Sequence, residues 1–368
     1  MFFPNFFYFL LHIALFIIFT FYSCVFLIAF SSQTFYQTKG LLNSSNMFSN
    51  ETSKSKPSVT FWTVFLNNYI SSYLAHSIHL TAFIEPKFTI LSGGGFEGKS
   101  GFFYYLNKRD GDNLSDFLKN NLVTQHQFDL AIEKVKYFLN ITSRLKIPLL
   151  FVIGPNKHSI YPEFFSHSRP EGITRADQLT RIFDSLNATY VFPRDFFLQV
   201  KSTLSTPLYF ETDTHWNSLG AFYAFQLIKQ RIQAFFPNVT FPDIHYDISS
   251  RKVHGFGDML RISHPIKQKN PFCTIVDIVP SKGSSAYYNI TYESKRTREI
   301  QAKSHDSSLP RALVFRDSFF ISLIPFVSPL FSFIDYHWTK WDTNRVLEAK
   351  PNLIIFEMVE RHCHYYFQ

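Results

Sequence analysis

Charge is missing from the start of this 368-residue chain: no Asp, Glu, Lys or Arg precedes Lys39. Cysteine is scarce, with Cys24, Cys273 and Cys363 as the full set, which excludes a disulfide-dense miniprotein and leaves one pairing, Cys273 with Cys363, open. No internal repeat and no long single-residue tract occurs, so solenoid and collagen-like architectures are excluded. Ser92-Gly93-Gly94-Gly95 lacks the Lys-Ser/Thr ending and the strand context of a phosphate-binding loop. A net charge of +8 is spread along the chain and accompanies no nucleic-acid motif, so a nucleic-acid partner is not expected.

What the chain has instead is apolar length at one end and aromatic bulk throughout. Phe6 to Phe30 is an uncharged run long enough to cross a bilayer core of about 30 Å as one helix. It lacks the basic start and short core of a cleavable signal, so residues 1–30 are expected to be an uncleaved membrane anchor. Lys39, Lys54 and Lys56 follow it and leave its orientation weakly specified. Asn-x-Ser/Thr at Asn43, Asn50, Asn113, Asn140, Asn187, Asn238 and Asn289 points towards an extracytoplasmic location, periplasm or secretory lumen. Residues 31–58, rich in Ser, Thr, Asn and Lys, read as a flexible tether, and 59–368 as one folded domain. The 45 Phe are expected mainly to fill its core.

Beyond the tether, short apolar runs alternate with amphipathic stretches, the pattern of an α/β fold with a parallel sheet. Pro148–Ile153, Arg311–Phe315, Phe331–Ile334 and Asn352–Phe356 are bounded by polar or turn-forming residues and are expected to be buried strands. Leu130–Leu139, Ala176–Leu186 and Leu219–Phe235 carry apolar residues at three- and four-residue intervals and are expected to be helical. Residues 236–310 mix Gly, Pro, Lys and Ser with isolated β-prone pieces, and read as loops or an excursion from the sheet.

Reactive groups in open parallel sheets collect at the carboxyl ends of strands. Arg316-Asp317-Ser318-Phe319-Phe320 follows the strand Arg311–Phe315. A serine there projects its hydroxyl outward, with its backbone N–H near the positive end of the next helical turn; the alternative is that Ser318 merely caps that turn. A second constellation is Glu211-Thr-Asp213-Thr-His215-Trp216-Asn217-Ser-Leu-Gly220. On a bent loop, Asp213 can orient the His215 imidazole and support its charged form, or Asp213 and Asn217 can simply cap the helix that follows. Trp216 reads as a wall against water or a stacking surface for a sugar.

Together, DTHWNSLG and FRDSF resemble the SGNH-hydrolase-like domain of alginate O-acetyltransferases and the related DHHW proteins. Gly98-Lys-Ser-Gly-Phe-Phe-Tyr104, the segment Gly154-Pro-Asn-Lys157 through Tyr161-Pro-Glu163, Gly257-Asp258-Met-Leu and Glu357-Met-Val-Glu360-Arg361 are similar to further family segments in order, over roughly residues 90–362. Arg316 replaces the Gly of the commoner G-D-S, as in the DHHW branch. The resemblance implies a flavodoxin-like three-layer sandwich with rearranged strand order, Asp and His preceding Ser. It implies Ser318 as nucleophile, His215 as general base then acid, Asp213 as its orienting carboxylate, and no cofactor. Arg316, Lys157 and Asn156 are candidates for a second oxyanion donor.

The implied activity is O-acetyl transfer to a polysaccharide, with a multi-span membrane O-acyltransferase as the partner supplying acetyl groups. An acetylesterase with the same three residues, or a non-catalytic glycan-binding or scaffold subunit, are the competing readings. Lys157, Tyr161 and Glu163 suit substrate positioning and a packed turn equally. Glu357, Glu360 and Arg361 read as a structural ion pair. His362-x-His364 and His76-x-x-His79 lack the accompanying ligands a metal needs, and no metal is expected.

Overall fold

Successive residues of the strand Leu149–Gly154 enter two different cores. Leu150 and Val152 join one apolar cluster, whereas Leu149, Phe151 and Ile153 join the other. Side chains alternate across a pleated sheet, so a strand that is apolar at every position must be covered on both faces. The computed structural model describes residues 90–165, 169–281, 291–296 and 298–368. The expected anchor and tether, with His76, His79, Asn43, Asn50 and Asn289, lie outside these residues. Among the described residues no helix is long and apolar enough to cross a membrane.

The strands are β1 (Gly95–Glu97), β2 (Phe103–Tyr105), β3 (Leu149–Gly154), β4 (Tyr190–Val191), β5 (Tyr246–His254), β6 (Phe272–Pro280), β7 (Thr291–Arg296), β8 (Glu299–Lys303), β9 (Arg311–Phe315), β10 (Phe333–His337) and β11 (Leu353–Val359). The central sheet has the order β4-β3-β11-β9-β10-β8-β7. From β4 to β10 neighbours run parallel, and β8 and β7 complete the sheet antiparallel. Helices α1 (Gln125–Leu145) and α2 (Arg175–Ser185) cover one face through Ala131, Val135, Phe138, Leu179, Ile182 and Phe183. Helix α3 (Ser218–Phe235) covers the other through Ala221, Ala224, Phe225, Ile228 and Ile232. The result is an α/β fold, as the alternating pattern led one to expect, in the three layers that the resemblance implied, with a mixed rather than wholly parallel sheet and the carboxyl ends of β3, β9, β10 and β11 on one edge.

Local sequence explains the helix ends. Thr124 accepts from the Gln127 N–H while the Gln127 side chain accepts from the Thr124 N–H, a reciprocal cap that starts α1. Phenylalanine is indeed core material: Phe151 stacks on Phe183 at 4.5 Å, and Phe356 meets Phe138 edge-on at 5.7 Å.

The expected strands and helices are present, with longer α1 and shifted ends. Strand β10 starts at Phe333 and runs to His337, because buried polar residues Asp335 and His337 interrupt the apolar signal. Strand β11 continues to Val359, which places Glu357 inside a strand. Residues 236–310 are more ordered than their composition implied. Strands β5 and β6 form a separate hairpin, the expected excursion, but β7 and β8 belong to the main sheet. Strand β8 carries little apolar signal, since only its Ala302 is buried.

Cys273 and Cys363 are both buried free thiols, so the disulfide left open by the sequence is not formed. Asn113 is buried and cannot carry a glycan, whereas Asn140, Asn187 and Asn238 are exposed. Ile355, fully buried in β11, has no polar atom and no room to be replaced. Ile355→Ala is expected to cost about 2–5 kcal/mol in urea unfolding, against less than about 0.5 kcal/mol for Leu347→Ala on the exposed side of helix α4 (Thr343–Ala349).

Candidate active site

The turn after β9 is built by a carboxylate. Arg316 N–H continues the pairing to β10 by donating to the His337 carbonyl at 2.9 Å. Asp317 then turns inward: Oδ1 accepts from Phe319 N–H and Oδ2 from Val359 N–H, each at 2.8 Å. Its own N–H donates to Glu357 Oε2 at 3.0 Å. The cap of the 3₁₀ turn Phe319–Leu323 is therefore supplied by Asp317, and Ser318 makes no side-chain cap. Its hydroxyl is left for another partner.

That partner arrives on the loop before α3. Asn217 caps the helix by accepting from Leu219 and Gly220 N–H, and its amide donates to the Pro207 carbonyl at 2.6 Å, which closes the loop 207–217. A bridge between Tyr209 and Trp216 narrows it further. Within the loop, Asp213 Oδ1 accepts from the His215 N–H at 3.0 Å and lies 2.6 Å from His215 Nδ1. The other ring nitrogen, Nε2, lies 2.7 Å from Ser318 Oγ. Asp213, His215 and Ser318, separated by up to 105 positions in sequence numbering, form one continuous hydrogen-bonded chain.

A fourth group completes it. Asp258 N–H donates to Asp213 Oδ2 at 2.7 Å, and the Asp258 carboxylate accepts from Thr214 N–H and Oγ1 at 2.8 and 2.5 Å. Its Oδ2 stands 3.6 Å from His215 Nδ1. Gly257 permits this approach: its φ is +105°, and a Cβ there would sit 2.1 Å from the Thr212 carbonyl oxygen. Burial works to raise the Asp213 carboxyl, but hydrogen bonds and charge from His215, with the N–H of Asp258, prevail and leave it at about 2. Burial, then the Asp213 charge, push the Asp258 carboxyl up. Asp213, His215 and Asp258 also offer ligand-type atoms within 4.8 Å of one another, a spacing a metal ion tolerates. Their bonds to one another and to Thr214 already account for those atoms.

Part of the chain that carries this geometry is similar to a known domain. Residues 117–280 match the model of the SGNH hydrolase-like domain of acetyltransferase AlgX. Over that stretch the chain is similar to an SGNH hydrolase-like domain. The matched stretch contains Asp213, His215 and Asp258 and ends before Ser318. Among solved structures, Bacillus cereus PatB1 is similar at 14% identity and a TM-score of 0.50, covering 67% of this chain and 94% of PatB1. The O-acetyltransferase domain of Pseudomonas putida AlgJ is similar at 15% identity and a TM-score of 0.48, covering 73% and 92%. A DHHW family protein from Eubacterium siraeum is similar at 14% identity and a TM-score of 0.49, covering 75% and 93%. At such identities the likeness is one of fold. No curated protein matches the sequence.

Several residues expected at the site are otherwise engaged. Trp216 is fully buried and donates from Nε1 to the Phe319 carbonyl at 2.9 Å, so it supports the Ser318 turn from beneath and cannot stack on a sugar. The buried Lys157 ammonium donates to the Phe103 and Glu211 carbonyls at 2.7 and 3.0 Å. Burial pulls it down to about 8 against the pull of Asp213 and Asp258. Arg316 is 2% exposed, lies over the Trp338 ring and donates to the Asp317 carbonyl. The Tyr161 hydroxyl accepts from Leu208 N–H, and its ring lines a cavity of about 690 Å³ with Glu163 and Lys201.

Asn156 is different. Its N–H donates to Glu360, but the buried side-chain Nδ2 has no partner, and it borders a water-sized void of about 10 Å³ shared with Thr214. Glu357 and Glu360 accept backbone N–H bonds and are not paired with Arg361, which instead meets Asp110 at 3.3 Å. Asp258 belongs to the segment Gly257-Asp258-Met-Leu, and its contact with Asp213 has no signal in the local sequence.

A carboxyl depressed in the folded state stabilises it above the unfolded value and loses that contribution as pH falls through the folded value. For Asp213 this window runs from about pH 4 down to about 2. The urea unfolding free energy of the wild type is expected to fall more steeply from about pH 5 to about pH 3 than that of Asp213→Asn, by about 1–2 kcal/mol.

Proposed function

We propose that this protein is a membrane-anchored, extracytoplasmic serine O-acetyltransferase that esterifies a polysaccharide hydroxyl through an acetyl-Ser318 intermediate. The observation that carries this reading is the His215 ring held between Asp213 and Ser318 at 2.6 and 2.7 Å. Serine hydroxyl is a weak nucleophile until a neighbouring base takes its proton, and an imidazole oriented by a carboxylate does so.

Ser318 Oγ attacks the acetyl carbonyl of the donor ester while its proton passes to His215 Nε2. The tetrahedral oxyanion faces the Ser318 N–H at the first turn of Phe319–Leu323, and the unpaired Asn156 amide is a candidate second donor. Collapse breaks the donor C–O bond, and the leaving alkoxide takes the proton from His215. The acceptor hydroxyl then attacks the acetyl-serine, gives its proton to His215, and the new ester leaves as Ser318 recovers that proton. Asp213 stabilises the imidazolium in both halves. The similarity of residues 117–280 to the domain of acetyltransferase AlgX supports acetyl transfer as the chemistry. A domain outside the cytoplasm has no acetyl-CoA, and a multi-span membrane O-acyltransferase is the class of partner that would deliver the acetyl group.

Ser318→Ala is expected to abolish acetyl turnover and covalent labelling by a serine-reactive fluorophosphonate; labelling unchanged in the variant refutes the nucleophile. His215→Ala is expected to lower turnover roughly a hundred- to ten-thousand-fold. Acetate release that ignores added glycan identifies an esterase, whereas ester transfer that depends on glycan supports the transferase.

A further inference from the structure

Both ring nitrogens of one histidine outside the Ser318–His215–Asp213 chain face carboxylates. His362 lies on the 3₁₀ segment Glu360–Phe367 that follows β11. Its Nδ1 is 3.2 Å from Asp317 Oδ2 and its Nε2 is 2.8 Å from Asp110 Oδ1. A carboxylate only accepts, and a neutral imidazole has a single N–H. Both contacts are hydrogen bonds only when the ring carries two protons, so the geometry itself selects the imidazolium.

The carboxylate it reaches is the one that shapes the nucleophile turn. Asp317 fastens Phe319 N–H and Val359 N–H on either side of the chain that carries Ser318. We propose that His362, as an imidazolium bridging Asp110 and Asp317, is a positioning residue for Ser318. It thereby makes the reactivity of the serine depend on pH separately from His215. The proposal rests on Ser318 being the nucleophile of the reading above.

The surroundings hold the cation in place. Burial opposes the charge on His362, but the hydrogen bonds from Asp110 and Asp317 keep it above the ordinary histidine range. On its own segment, Arg361 opposes the charge, and the His364 ring lies 6.2 Å away with its Nδ1 on the Arg361 carbonyl. From other elements, Arg109, Arg316, Lys340 and Glu357 border the same cavity of about 330 Å³. Burial pushes Glu357 well above the usual carboxylate range, as does the Asp317 charge, so the chief compensating negative charges are Asp317 and Asp110. A raised histidine contributes fully below its unfolded value, near 6.5, and the contribution is lost as pH rises through the folded value. Deprotonation leaves one ring nitrogen presenting a lone pair to a carboxylate. One of the two ties is then broken, and the Asp317 charge loses its counter-ion beside Ser318.

The full chain and His362→Gln are to be labelled with a fluorophosphonate from about pH 5 to about pH 10, with thermal unfolding as the check of fold. The wild-type rate constant is expected to decline on an alkaline limb. His362→Gln is expected to label about tenfold more slowly at neutral pH and to lack that decline. Asp110→Asn is expected to move the decline to lower pH. An alkaline limb retained in His362→Gln, or equal rates, overturns the proposal. A ¹⁵N titration of the wild-type ring reads the same point without activity. His362 is expected to titrate above the free-histidine range and to move down in Asp110→Asn; titration at or below that range overturns the proposal. Absence of labelling in the wild type at every pH counts instead against Ser318 as nucleophile.

Discussion

One buried carboxylate holds the functional end of this molecule together. Asp317 accepts from the backbone of the turn it belongs to, from the end of β11 and from His362. Burial works to raise its carboxyl, and the bonds and charge of His362, then Arg361 and the Val359 N–H, lower it. A charge removed from water must be fully coordinated, and here that requirement is met only when three chain segments converge. Ser318 is the residue caught between two of those ties. Its place is thus fixed by a neighbour's charge, while its own hydroxyl remains uncommitted to the backbone.

The second half of the site obeys the same physics with the opposite outcome for two adjacent carboxylates. Asp213 collects the His215 ring, the His215 N–H and the Asp258 N–H, and stays ionised. Asp258, bonded to Thr214 and beside that charge, is pushed up. Placing two carboxylates around one imidazole separates their states: one stays ionised against the ring, the other fixes the loop that presents it. Gly257 is the backbone condition for the arrangement, because any side chain there collides with the Thr212 carbonyl.

Much of the fold was readable because burial on two faces leaves a continuous apolar strand. Arg311–Phe315 was recognised to the residue, and the helices α2 and α3 followed from their periodicity. Strands β7 and β8 were missed; in β8 only Ala302 is buried, so it carries no such run. In the candidate site, Asp213, His215 and Ser318 were singled out from their place at loop and strand ends, and the three form a hydrogen-bonded chain. Trp216 was placed near substrate because its type suits a sugar, and Lys157 because it follows the strand Pro148–Ile153, yet both are buried, one bonded to the Phe319 carbonyl and the other to two carbonyls. Residue type signals what a side chain can bind, not which partner reaches it first.

The sequence by itself determined the layered α/β architecture and the local turns that expose a serine and an Asp-x-His pair, because periodicity and turn chemistry act over a few neighbouring residues. Only the tertiary structure decided that His215 meets Ser318, that Asp258 stands behind Asp213, and that His362 bridges Asp110 to Asp317. Those contacts join positions dozens to hundreds of residues apart, and they exist because packing of the sheet and its covering helices brings the loops to one edge. Distance along a chain carries no record of that convergence.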